Sequence, residues 1–173
     1  MWGVPLIFNK ILQSINPPPK KNTTMPTNPP EIKKLPLKSD QYYQGVYEKK
    51  YIFAHHTAGG SAASSIQHWA SNPDHIATAF IIDRDGTIYQ TFAPEMWAYH
   101  LGVKGNSQIE KASIGIEICS YGALDVNGKT YTGKIIPKDK MVKCEFRGQV
   151  YWEGYTEEQI AALAKLLPYL IEK

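Results

Sequence analysis

Apolar positions along this chain fall in short runs separated by turn-forming residues. Tyr51-Ile52-Phe53-Ala54 is a continuous β-prone run, which predicts a short strand buried on both faces of a sheet. Gly59-Gly60 ends it. Residues 61–71 then place Ala62, Ile66 and Trp69 on one helical face, and the turn formers Asn72-Pro73-Asp74 stop the helix. Two strand-like runs follow, at 78–82 and 87–92. They are joined by Asp83-Arg84-Asp85-Gly86, where glycine supplies the positive φ that a tight hairpin needs. A further buried strand is predicted over 113–119. Thr156-Glu157-Glu158-Gln159 is a capping box opening a helix with Ile160, Leu163, Leu167 and Leu170 on one stripe. Between them, residues 121–155 read as a surface insertion, with Asn127-Gly128 as a hairpin turn and Gln149-Val150-Tyr151-Trp152 as an edge strand. Together these elements predict an α/β fold, a mixed central sheet flanked by helices.

Composition adds a boundary. Residues 1–40 read as an apolar start followed by a Pro/Lys-rich linker, and the domain occupies 41–173. Between Asn16 and Lys38 prolines recur too often, and apolar residues too rarely, for the segment to fold alone. Of the formal charge of +3, the first 39 residues carry +5, from six lysines and Glu31, so the remainder is −2. A near-neutral domain without arginine clusters has no footprint for nucleic acid. The apolar stretch from Trp2 to Ile15 lacks a basic n-region and a small-residue cleavage site, and it is too short to span a membrane. It reads as an amphipathic helix that docks on the domain or on a partner protein. Two cysteines, Cys119 and Cys144, make no disulfide framework and leave the redox compartment open.

The candidate chemistry lies at strand ends. His55-His56 closes the first strand just before a glycine-rich turn, where α/β proteins place their sites. Side chains alternate across a strand, so only one of the pair readily faces a given metal. By residue type alone the pair is either metal-binding or buried and hydrogen-bonded. Glu117 interrupts the apolar run Ile114-Gly115-Ile116-Glu117-Ile118, where a carboxylate must be paired or perturbed. His100 sits in the aromatic-rich Trp97-Ala98-Tyr99-His100-Leu101-Gly102, whereas His68, His75, Asp83 and Asp85 read as surface and turn residues. There is no phosphate-cradling loop, serine nucleophile elbow or Cys-x-x-Cys pair.

Taken in order, four segments resemble the type-2 N-acetylmuramoyl-L-alanine amidase family, shared by phage lysozyme-like amidases and peptidoglycan recognition proteins. They are His55-His56-Thr57-Ala58-Gly59-Gly60, residues 78–90, Ala98-Tyr99-His100-Leu101-Gly102 and Ser113-Ile114-Gly115-Ile116-Glu117-Ile118. The resemblance implies an enzyme acting on peptidoglycan at the bacterial cell wall, cutting between N-acetylmuramic acid and L-alanine with a zinc-activated water. It also implies His55 as a zinc ligand, Glu117 as the acid/base, and His100, Thr78 and His56 beside the substrate. Two departures stand out. Thr78 occupies the place of a tyrosine found in two branches of the family, which shifts acid/base work onto Glu117. The family's remaining zinc ligands and an oxyanion lysine follow the last helix, so a chain ending at Lys173 is expected to bind Zn2+ weakly and to be inactive by itself. Two other readings of the same fold are a peptidoglycan-binding module that does not cut and a virion structural domain.

Overall fold

The computed structural model describes residues 29–102 and 107–172. The apolar start lies outside the described residues. Strands are β1 (Ile32–Lys34), β2 (Tyr51–His56), β3 (Phe80–Ile82), β4 (Ile88–Gln90), β5 (Ser113–Ile118), β6 (Ala123–Leu124), β7 (Met141–Phe146) and β8 (Gln149–Glu153); helices are α1 (Ala62–Ser71), α2 (Ser107–Lys111) and α3 (Glu157–Ile171). A five-stranded sheet runs in the order β1-β4-β3-β5-β2, and a three-stranded sheet in the order β6-β8-β7. In the larger sheet β2, β5 and β3 are parallel, β4 is antiparallel to β3, and β1 is parallel to β4. The fold is therefore the expected α/β one, a mixed sheet flanked by helices.

Local signals explain most elements. Ser61 caps α1 by accepting from the Ser64 amide, and Ala62, Ile66 and Trp69 are buried as the helical period requires. The β3–β4 hairpin closes with Asp83 N–H donating to Thr87 O at 2.9 Å and Gly86 N–H to Asp83 O at 3.0 Å. Gly86 has φ +80, and a Cβ there would lie 2.7 Å from the Glu158 carbonyl oxygen, so the turn also seats the start of α3. The capping box of Thr156 and Gln159 is formed in full.

Several elements differ from the sequence pattern. The buried stripe of α3 is Gln159, Ala162, Leu163, Leu166 and Leu170, with Ile160 and Leu167 at its flanks. The stripe is rotated because the Gln159 amide is itself buried, donating to Cys119 O at 2.8 Å while its carbonyl accepts from the Thr156 amide. Within the stretch read as linker, Ile32–Lys34 adds to the sheet as β1. Leu35 and Leu37 continue that contact with amide hydrogen bonds to Gln90 O and Thr91 O. Prolines on either side are compatible with this because an edge strand needs donors on one side only. β2 is the other edge of the sheet rather than a strand buried on both faces, and the fully buried strands are β3 and β5. In the insertion, residues 149–153 form the middle strand of the smaller sheet rather than an edge, since β6 and β7 pair on either side.

The core is one cluster in which Phe80, Ile81, Ile82, Ile116, Ile118 and Leu166 are almost completely buried. The smaller sheet is fastened to the larger by Glu153. Its carboxylate accepts from Arg84 at 2.7 and 2.9 Å and from the Tyr121 amide at 2.6 Å, while Arg84 Nε donates to Gly60 O at 2.8 Å. No helix among the described residues is long and apolar enough to cross a membrane.

Candidate active site

Register places the two strongest sequence candidates side by side. His55 of β2 pairs with Glu117 of β5, near the C-terminal ends of parallel strands. Register partners project from the same face of a sheet, so both side chains lie on one face, while His56 and its partner Ile118 lie on the other. His55 is 4% exposed and Glu117 5%. Each leaves one buried polar atom without a hydrogen-bond partner among the described residues, His55 Nδ1 and Glu117 Oε2. Such an atom costs about 1–3 kcal/mol. Two of them on adjacent strands mark a place shaped for a ligand rather than for stability.

Burial sets their charge states. Desolvation, followed by the neighbouring His56, lowers the His55 pKa to about 4, and desolvation raises that of Glu117 to about 8. Near neutral pH His55 is a neutral imidazole with a free lone pair, and Glu117 holds a proton that an adjacent cation would displace.

His100 lies 3% exposed over the same strands. Its Nδ1 is 3.0 Å from His55 Nε2 and its Nε2 is 2.8 Å from Ser113 Oγ. Desolvation, then His55 and Lys49, lower its pKa to about 3. The ring fits there because residue 115 is glycine: a Cβ would sit 2.7 Å from Thr78 Cγ2 and 3.0 Å from His100 Cγ. The backbone of the His100 loop is held by Glu110, which is completely buried and accepts from the amides of His100 at 3.0 Å and Leu101 at 3.1 Å. Burial raises the Glu110 pKa, and these amide hydrogen bonds oppose the rise.

The other sequence candidates sit apart from this pair. Thr78 is buried, its hydroxyl donating to Phe80 O at 2.8 Å and its methyl facing Gly115. His56 packs edge-on against Trp152 of β8, with ring centroids 6.2 Å apart, and close to Gly122. Desolvation lowers its pKa. Glu110 and Ser113 carried no functional signal in the sequence, Ser113 reading only as the start of a strand. Gly115 did carry one, as a glycine inside a buried strand.

A catalytic zinc site needs three protein ligands and one open position. Among the described residues no group of three His, Cys, Asp or Glu side chains is placed to hold a metal ion. His55 Nδ1 fits one corner of such a site, and the described residues alone do not complete it.

The N-acetylmuramoyl-L-alanine amidase family model matches residues 46–173, most of the chain. No curated protein matches. Among solved structures, PlyL is 25% identical over 51% of this chain and 57% of its own, with a TM-score of 0.46. A mutant endolysin from Bacillus subtilis is 30% identical over 51% of this chain and 60% of its own, at 0.42. The N-acetylmuramoyl-L-alanine amidase LysC from Clostridium intestinale URNW is 18% identical over 83% of this chain and 76% of its own, at 0.49. The chain spans little more than half the length of the PlyL structure it matches. With the family match extending from just before β2 through α3, and so across every strand that carries a candidate residue, the chain belongs to the N-acetylmuramoyl-L-alanine amidase family.

Proposed function

We propose that the chain is the hydrolytic domain of a peptidoglycan amidase that cuts the amide bond between the lactyl group of N-acetylmuramic acid and L-alanine. The observation that carries this reading is the register pairing of His55 with Glu117, each with a buried polar atom left unpartnered on the same sheet face. A bound zinc ion supplies polarisation of an amide carbonyl and a water acidic enough to ionise near neutral pH. His55 Nδ1 is the ligand that this chain's described residues offer it. Glu117 serves as the proton carrier, taking a proton from the attacking water and returning it to the leaving amine. Its position in a strand with all six residues buried keeps bulk water from competing for that proton.

Turnover on purified peptidoglycan tests the assignment. Glu117→Gln is expected to keep cell-wall binding and to lower turnover by about a hundredfold or more, the scale of a positioned acid or base. Near-normal turnover in the variant moves the proton-transfer role to another residue.

A second reading is favoured by the lack of a three-ligand set among the described residues: a module that grips the stem peptide without cutting it. Co-sedimentation with cell walls and no released peptide, even with zinc supplied, would select it.

A further inference from the structure

A neutral imidazole carries one N–H, so a ring whose two nitrogens both meet hydrogen-bond partners has its tautomer set by them. Ser113 Oγ is 2.7 Å from Ile109 O and 3.2 Å from Glu110 O, two groups that only accept. The serine proton is therefore spent on a carbonyl, and its oxygen accepts from His100 Nε2 at 2.8 Å. The Glu110 carboxylate, 3.5 Å from the same nitrogen, also favours a proton there. With its proton on Nε2, His100 presents Nδ1 as a bare acceptor, and that nitrogen is 3.0 Å from His55 Nε2. His55 must then carry its own proton on Nε2. The atom left bare is Nδ1, the one that is buried and unpartnered.

We propose that His100 is a positioning residue: the chain from Ser113 through His100 fixes His55 in the Nε2–H tautomer and turns its Nδ1 lone pair toward the ligand position beside Glu117. The consequence for zinc rests on the reading of His55 as a ligand, and the tautomer itself does not. Gly115 makes room for the ring, and Glu110 holds its backbone in place. An outer partner that orients a ligating histidine changes metal affinity by about 10- to 100-fold.

The test is a long-range 1H–15N correlation spectrum of the metal-free protein labelled at histidine, near neutral pH. In the parent, His55 and His100 are both expected as Nε2–H tautomers, and His55 found as Nδ1–H overturns the proposal without any variant. His100→Phe keeps the ring volume and removes the acceptor, so His55 becomes a mixture of tautomers. His100→Asn, whose side-chain oxygen takes the place of Nδ1, restores the single form. Zinc competition against a chromophoric chelator is expected to weaken about tenfold or more in His100→Phe, with recovery in His100→Asn. An unchanged His55 tautomer in a folded His100→Phe protein overturns the proposal and leaves the amidase reading standing. The expected tautomers with zinc affinity unchanged from the parent in His100→Phe support the positioning and overturn the zinc reading of His55.

Discussion

Glu117 keeps its proton to about pH 8 because its carboxyl is buried in an apolar strand, whereas an unfolded glutamate releases it near about 4.3. Between those values the native chain holds a proton that the unfolded chain has lost, so this group's contribution to stability falls as pH rises through the window. Glu117→Gln has no proton to lose. In urea denaturation of the metal-free protein, the variant should gain stability relative to the parent between about pH 5 and about pH 8. A constant difference across that range would mean the carboxyl is not held as described. The two adjacent histidines separate in a different way. His55→Ala is expected to abolish zinc binding, while His56→Ala, which loses the edge contact with Trp152, keeps it and costs about 1–2 kcal/mol of stability. Calorimetric zinc titration beside thermal unfolding checks both, and equal loss of zinc in the two variants contradicts the assignment. Glu117 was legible because an acid among isoleucines breaks the strand pattern; strand alternation set only one of His55 and His56 toward the site, and the family resemblance pointed to His55. Glu110 was not. It sits in Ser107–Lys111, a polar segment that reads as solvated, and its burial is created by the loop from His100 to Gly102 folding back onto it.

The Glu153 carboxylate ties the insertion to the main sheet. Desolvation would raise the Glu153 pKa, but the Arg84 and Tyr121 hydrogen bonds outweigh it and hold the group below the ordinary value. A lowered pKa contributes stability that is present above the unfolded value and is lost as pH falls through the native one. Glu153→Gln should therefore destabilise by about 2 kcal/mol near neutral pH, discounted for the partial exposure of Arg84, and the difference should vanish in acid. Thermal unfolding at several pH values measures this, and a pH-independent difference would assign the loss to packing instead. The elements legible in the sequence were those whose signals are local: the hairpin at Asp83 to Gly86, the helix over 61–71 and the Thr156 capping box. β1 was hidden because three residues between prolines have no usable period, and their strand character comes from β4, 56 positions away at Lys34 and Gln90. The central place of β8 likewise depends on β6 and β7, which no short-range pattern links to it.

At the scale of the molecule, the sheet order sets β2 at an edge beside the interior, fully buried β5, so the candidate site joins a strand near solvent to one deep in the core. Such an arrangement lets the core fix the geometry of Glu117 while the loop after β2 stays near the surface. The connection between β6 and β7 reaches that loop: Tyr131, itself exposed, donates its hydroxyl to Ala58 O at 2.7 Å. The family match spans the smaller sheet, α3 and every strand of the larger sheet except β1, so the insertion belongs to the same unit as the site. End-group analysis of peptidoglycan treated with the zinc-loaded protein tests the central claim most directly. New N-terminal L-alanine should accumulate without new reducing sugar ends, and it should disappear in both H55A and E117Q. New reducing ends, or alanine release that persists in those variants, would contradict it.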